Sequence, residues 1–88
     1  MTFEWDQEKN KVNIAKHGIS FELASKAFFD PLRIDLYDKR HSQEEDRFIT
    51  IGYVRGVAIL IAYTATEDKV RIISARRALK SEIETFYY

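Results

Sequence analysis

Seven consecutive apolar residues, Val57 to Tyr63, constrain this chain more than any other feature. An apolar run that short suits a central β-strand covered on both faces. It falls far below the roughly 20 apolar residues a membrane-spanning helix needs. Just before it stands Arg55-Gly56, preceded by the β-branched and aromatic run Phe48 to Val54. Gly tolerates positive φ, so these two residues read as a tight hairpin reversal.

The flanking segments carry other periods. Leu32, Ile34 and Leu36 alternate with Arg33, Asp35 and Tyr37, the period-two pattern of a half-buried strand. Asp38 to Asp46 reads as a charged, exposed loop, Thr64 to Asp68 as a turn, and Lys69 to Ala75 as a further strand. Upstream, Phe3 to Trp5 suits a short leading strand, and Asp6 is placed to cap a polar helix from Gln7 to His17 that Gly18 stops. Val12 and Ala15 give that helix only a thin apolar stripe, which predicts a surface position. Ser20 caps a second helix reaching Phe29, with Phe21, Ala24, Ala27 and Phe28 on one face; Asp30-Pro31 ends it. A last helix, Ala78 to Tyr87, places Leu79, Ile83 and Phe86 together.

The expected fold is α+β: an antiparallel meander sheet of about four strands plus a short N-terminal strand, with two N-terminal helices and one C-terminal helix. The helices before and after the meander are expected to cover one face. The other would then lie open for a ligand or partner.

At 88 residues the chain reads as a single domain over 1–88. It has no Cys, which excludes disulfides and thiolate metal sites. After Met1, the residues Thr2-Phe3-Glu4-Trp5-Asp6 have neither the basic start nor the apolar core of a signal peptide, so a cytoplasmic protein is expected. Fourteen basic residues balance fourteen acidic ones, against a surface that grips nucleic acid everywhere. The balance hides a split: residues 1–46 hold seven Lys/Arg and ten Asp/Glu (7 − 10 = −3), and residues 47–88 hold seven and four (7 − 4 = +3).

Arg71-Ile72-Ile73-Ser74-Ala75-Arg76-Arg77 is the segment that offers chemistry. Strict alternation puts Arg71, Ile73 and Ala75 on one face and Val70, Ile72 and Ser74 on the other. Three guanidinium groups near one spot would match phosphate and neutralise charge developing on phosphorus. The alternative is that Arg71 pairs with a carboxylate across the sheet while Arg76 and Arg77 face water. Imidazole titrates near neutrality, so His17, beside Lys16, is an acid–base candidate; it equally suits a cap on its own helix. Tyr63 and Arg47 belong to strands expected beside this one. Tyr63 could stack on a base or donate a hydrogen bond, or else lie in the core with its hydroxyl at the rim. Glu44, Glu45 and Asp46 read as a solvated loop or as ion-pair partners of Arg47. No His/Cys/carboxylate group has metal-ligand spacing, and no cofactor is expected.

Several segments together resemble one family. Phe3-Glu4-Trp5-Asp6, Lys16-His17-Gly18-Ile19-Ser20-Phe21, Phe29-Asp30-Pro31, Glu45-x-Arg47, Ile51-Gly52, Tyr63-Thr64 and Arg71 to Ala78 stand in the order and spacing of the BrnT toxins of type II toxin–antitoxin systems. The resemblance implies a fold like that of the RelE ribonuclease toxins and a cytoplasmic protein that cleaves RNA and blocks translation. It implies neutralisation by BrnA, a ribbon–helix–helix antitoxin, in a two-plus-two heterotetramer that touches DNA only through the antitoxin. Cleavage in RelE-like toxins needs no metal: the ribose 2′-hydroxyl attacks the adjacent phosphate. Carried over, the catalytic candidates are Arg71 and Arg76 with His17, Lys16 or Tyr63, and the RNA-binding candidates are Arg47 and Arg77. After Tyr63-Thr64 the family often continues Glu-Arg, where this chain has Ala65-Thr66. That departure, with the neutral total charge, leaves a second expectation: a binding partner of a ribbon–helix–helix protein with no catalysis of its own.

Overall fold

The computed structural model describes residues 1–87. Five strands form one sheet: β1 (Thr2–Glu4), β2 (Ile34–Tyr37), β3 (Phe48–Val54), β4 (Val57–Ala65) and β5 (Lys69–Arg77). The spatial order is β1-β5-β4-β3-β2, with β2 to β5 an antiparallel meander. β1 pairs parallel with β5, Glu4 opposite Arg71, so the sheet is mixed. The helices are α1 (Gln7–His17), α2 (Phe21–Ser25) and α3 (Lys80–Tyr87). The second expected helix runs on as a 3₁₀ turn, Lys26–Phe29, so its α-helical part is shorter than the sequence suggests.

Local chemistry sets these boundaries. Asp6 accepts from the backbone N–H of Glu8 at 2.8 Å and of Lys9 at 3.1 Å, and Gly18 closes α1 at φ 71°. Ser20 accepts from the Leu23 N–H at 3.0 Å. Arg55 and Gly56 both take positive φ (50° and 80°), the geometry of a type I′ hairpin turn. Arg is an unusual first residue for that turn, because its Cβ crowds the backbone there.

Two apolar clusters lie on opposite faces of the sheet. On the first, Phe21, Ala24, Ala27 and Phe28 pack against Ile59, Ile61, Tyr63, Val70, Ile72 and Ala75. On the second, Ile51, Ala58 and Leu60 lie under Ala78, Ile83 and Tyr87 of the α3 segment. The expectation that all helices share one face is therefore corrected: α3 crosses to the other. Its reason is in β4, where Val57 to Tyr63 are apolar at every position and both faces need cover.

α1 lies at the surface, as its thin stripe predicts, but Val12 and Ala15 are not what seats it. Val12 is 63% exposed, and the buried residues of α1 are Asn10 and Asn13. β1 pairs with β5 only as far as Arg71, which leaves the edge of β5 free beyond it. Asn13 completes that edge: its carboxamide donates to the Ala75 carbonyl (2.9 Å) and accepts from the Ala75 N–H (3.1 Å), and it also donates to the Ile19 carbonyl (2.8 Å). Asn10 accepts from the Phe21 N–H (2.9 Å) and donates to Glu22 (2.9 Å). Polar residues thus dock this helix because the strand beneath it offers unpaired backbone.

Candidate functional site

The site begins with an irregularity in β5. Ala62 pairs with Ser74 but Tyr63 with Ile72, so Ile73 is an extra residue, a β-bulge. The bulge reverses the facing of everything after it. Val70, Ile72 and Ala75 all enter the first cluster, whereas Arg71, Ser74 and Arg76 share the second face, opposite Thr64, Ala62 and Leu60. Strict alternation is corrected here. It would have set Arg71 and Arg76, five residues apart, on opposite faces.

α3 covers only the Ile51, Ala58 and Leu60 end of that second face. At the other end lies a polar basin of about 360 Å³, walled by Arg71, Lys69, Glu4, Glu45, Asp46, Thr64 and Thr66 with Ala65. Arg71 is exposed there, and among the described residues no carboxylate stands within ion-pairing distance of it. Cross-strand pairing of Arg71 with a carboxylate is thus not what the structure forms. The basin combines cations that can hold phosphate with carboxylates that can take a proton, flanked by hydroxyls. Among the described residues, no three His, Cys, Asp or Glu side chains are grouped to hold a metal ion.

Arg76 is differently engaged. Its guanidinium meets Glu82 in a two-pronged pair, 2.8 Å on each arm, and also donates to the Arg77 carbonyl at 3.2 Å. The Glu82 hydrogen bonds raise Arg76 above the usual guanidinium range, and Arg76 holds Glu82 below the ordinary carboxylate range. Glu82 also accepts from the Leu79 N–H at 2.7 Å, capping α3.

The remaining candidates lie elsewhere. Arg77 pairs in register with Ile59 and lies on the first face, so the three guanidinium groups do not meet at one spot. His17 and Lys16 end α1, exposed along the free edge of β5 beside Ile73 and Ser74. His17 also borders a groove with Arg55 and Arg77. Tyr63 is 8% exposed, packed edge-on against Phe28 (5.0 Å) and at a shallow tilt against Phe48 (5.7 Å), with its hydroxyl 3.3 Å from that of Thr50, which also bonds Asp35. Burial pushes its phenol up. Tyr63 is a core residue of the first face, away from Arg71. Arg47 closes the 38–47 loop through its backbone, accepting from the Asp38 N–H (2.8 Å) and donating to Ser42 (2.9 Å). Its side chain borders a depression with His41, Gln43, Glu44 and Glu45, next to the basin.

Glu4, Thr64 and Lys69 were not singled out by sequence reasoning. Register alone exposes Glu4 and Thr64, because both stand opposite Arg71.

A family model described as the ribonuclease toxin BrnT of type II toxin–antitoxin systems matches residues 5–82. The chain belongs to the BrnT family. Comparison with curated proteins returns no match. BrnT membership makes this chain a type II ribonuclease toxin with an antitoxin as its partner. No helix among the described residues is long and apolar enough to cross a membrane.

Proposed function

We propose that this BrnT chain cuts RNA without a metal ion, at the polar basin on the second face of its sheet. The observation that carries the reading is the Ile73 bulge, which brings Arg71 and Arg76 to the same face, with Arg71 in no ion pair among the described residues and three carboxylates in its basin. In the reaction the ribose 2′-hydroxyl forms a bond to the neighbouring phosphorus and the bond to the 5′-oxygen breaks. A basin carboxylate takes the 2′-hydroxyl proton, a water molecule gives one to the leaving 5′-oxygen, and the products are a 2′,3′-cyclic phosphate and a 5′-hydroxyl. Arg71, with Lys69 beside it, neutralises the charge that builds on the phosphoryl oxygens. Metal independence follows the resemblance, and in the basin Arg71 and Lys69 stand where they can neutralise phosphoryl charge in a metal ion's place.

The wider reading follows the resemblance. The fold is RelE-like, the protein acts in the cytoplasm, and the RNA it cuts is needed for translation. The antitoxin is a BrnA-like ribbon–helix–helix protein, joined two-plus-two, which carries any contact with DNA. Lys16, His17 and Arg77 take other roles, because they stand off the face that carries Arg71.

A second reading, a partner that binds its antitoxin but cuts nothing, is favoured by one observation: Glu82 already occupies both arms of Arg76. Induced expression separates the two. The nuclease reading expects growth arrest and RNA loss with wild type, and neither with Arg71→Ala. Normal growth and intact RNA from folded wild-type protein would favour the second.

A further inference from the structure

The first face carries a groove that the proposed RNA reaction does not use. It lies between the end of α1 and the β3–β4 hairpin and holds about 330 Å³. Its floor is aliphatic: Ile19, Val54 and Ile59 are all buried in the core beneath it. Its rim is His17, Arg55 and Arg77, and among the described residues no carboxylate lines it. Among the described residues none of these three side chains is in an ion pair.

Arg55 adds an independent observation. It occupies the first positive-φ position of a type I′ turn, where Asn or Gly is favoured. The positive φ closes the hairpin, but the Arg side chain itself makes no hydrogen bond among the described residues. A strained residue of that kind points to a use for its side chain.

We infer that this groove is where an acidic, amphipathic segment of the protein antitoxin docks. Aliphatic side chains of the segment enter the floor, and its carboxylates meet Arg55, Arg77 and His17. An RNA strand fits less well, because among the described residues no aromatic ring lines the groove for a base to stack on. Aliphatic floors with charged rims suit the apolar face of a helical peptide instead. The inference rests on the chain being a toxin held by a protein antitoxin, not on the cleavage mechanism.

The test is the affinity of the purified antitoxin of this toxin–antitoxin pair for wild type, Arg77→Glu and Arg55→Asn, read by calorimetry without RNA. Charge reversal at Arg77 is expected to weaken binding by roughly a hundredfold, and added salt to weaken the wild-type complex more than the variant. Arg55→Asn relieves the turn, so it should raise Tm while still weakening the complex by roughly tenfold. A merely structural Arg55 would not pair higher stability with lower affinity. Affinities within a factor of about two of wild type for both variants would overturn the inference. So would a loss confined to RNA cleavage, which would make the groove part of the RNA path. Wild-type protein that cuts no RNA would refute the nuclease reading and leave this binding result intact.

Discussion

Asn13 stands in for a missing strand. Its carboxamide presents one donor and one acceptor to Ala75, as a neighbouring backbone would. Asn13→Ala orphans both groups inside the protein and is expected to cost about 3 kcal/mol, or roughly 15 °C in Tm for a domain this size. A drop of only a few degrees by thermal melting would mean that water replaces the amide. Gly52 makes a comparable demand: a Cβ there would meet the Ala27 carbonyl oxygen at 2.5 Å. Neither could be weighed from the sequence. Asn13 reads as a polar surface residue unless the free edge of β5 is known, and Val12 and Ala15 look like the buried stripe by hydrophobicity alone. Arg71, Arg76 and Arg77 stood out by residue type and spacing, but not on which side of the sheet each would stand. The extra residue Ile73 carries no Gly or other irregular signal, so alternation ran through it and sorted the arginines wrongly.

Among the elements, α3 is held by few contacts. Ile83 and Tyr87 cover a small apolar patch, the Tyr87 hydroxyl donates to the Ile51 carbonyl at 2.8 Å, and Arg76 grips Glu82. Glu82 sits below its ordinary carboxylate range when α3 is docked, through its hydrogen bonds to Arg76. Its contribution is therefore full above the undocked value of about 4.3 and is lost as pH falls through the docked value. Acidification below about pH 4 should lower the hydrogen-exchange protection of α3 before that of the sheet. Glu82→Gln should make that protection low at pH 7 and constant with pH. Protection in α3 that falls only together with that of the sheet would contradict this docking. The same variant frees Arg76 on the Arg71 face, so RNA cleavage should not fall with it; a loss as large as that of Arg71→Ala would mean that Arg76 acts only while paired.

Across the whole molecule, most of the architecture was readable. The apolar run Val57 to Tyr63, the Asp6 and Ser20 caps, the Gly18 stop and the Arg55-Gly56 turn place every element within a few residues. The same apolar run also demanded cover on two faces, and only α3 could supply the second; placing all helices on one side neglected that demand. What stayed hidden was the site, because it is assembled by register. Glu4 reaches Arg71 through a parallel pairing across 67 positions of sequence, and Glu45 and Asp46 through a loop. No spacing rule joins them.

The central claim is metal-free cleavage of RNA at the Arg71 basin. Its most direct test is to incubate purified wild type and Arg71→Ala with a defined RNA in excess chelator and identify the product ends, with melting curves confirming that both are folded. The account predicts 2′,3′-cyclic phosphate and 5′-hydroxyl ends from wild type, and a rate roughly a hundredfold lower or worse from Arg71→Ala. Cleavage that stops with chelator, or that proceeds equally well without Arg71, would contradict it.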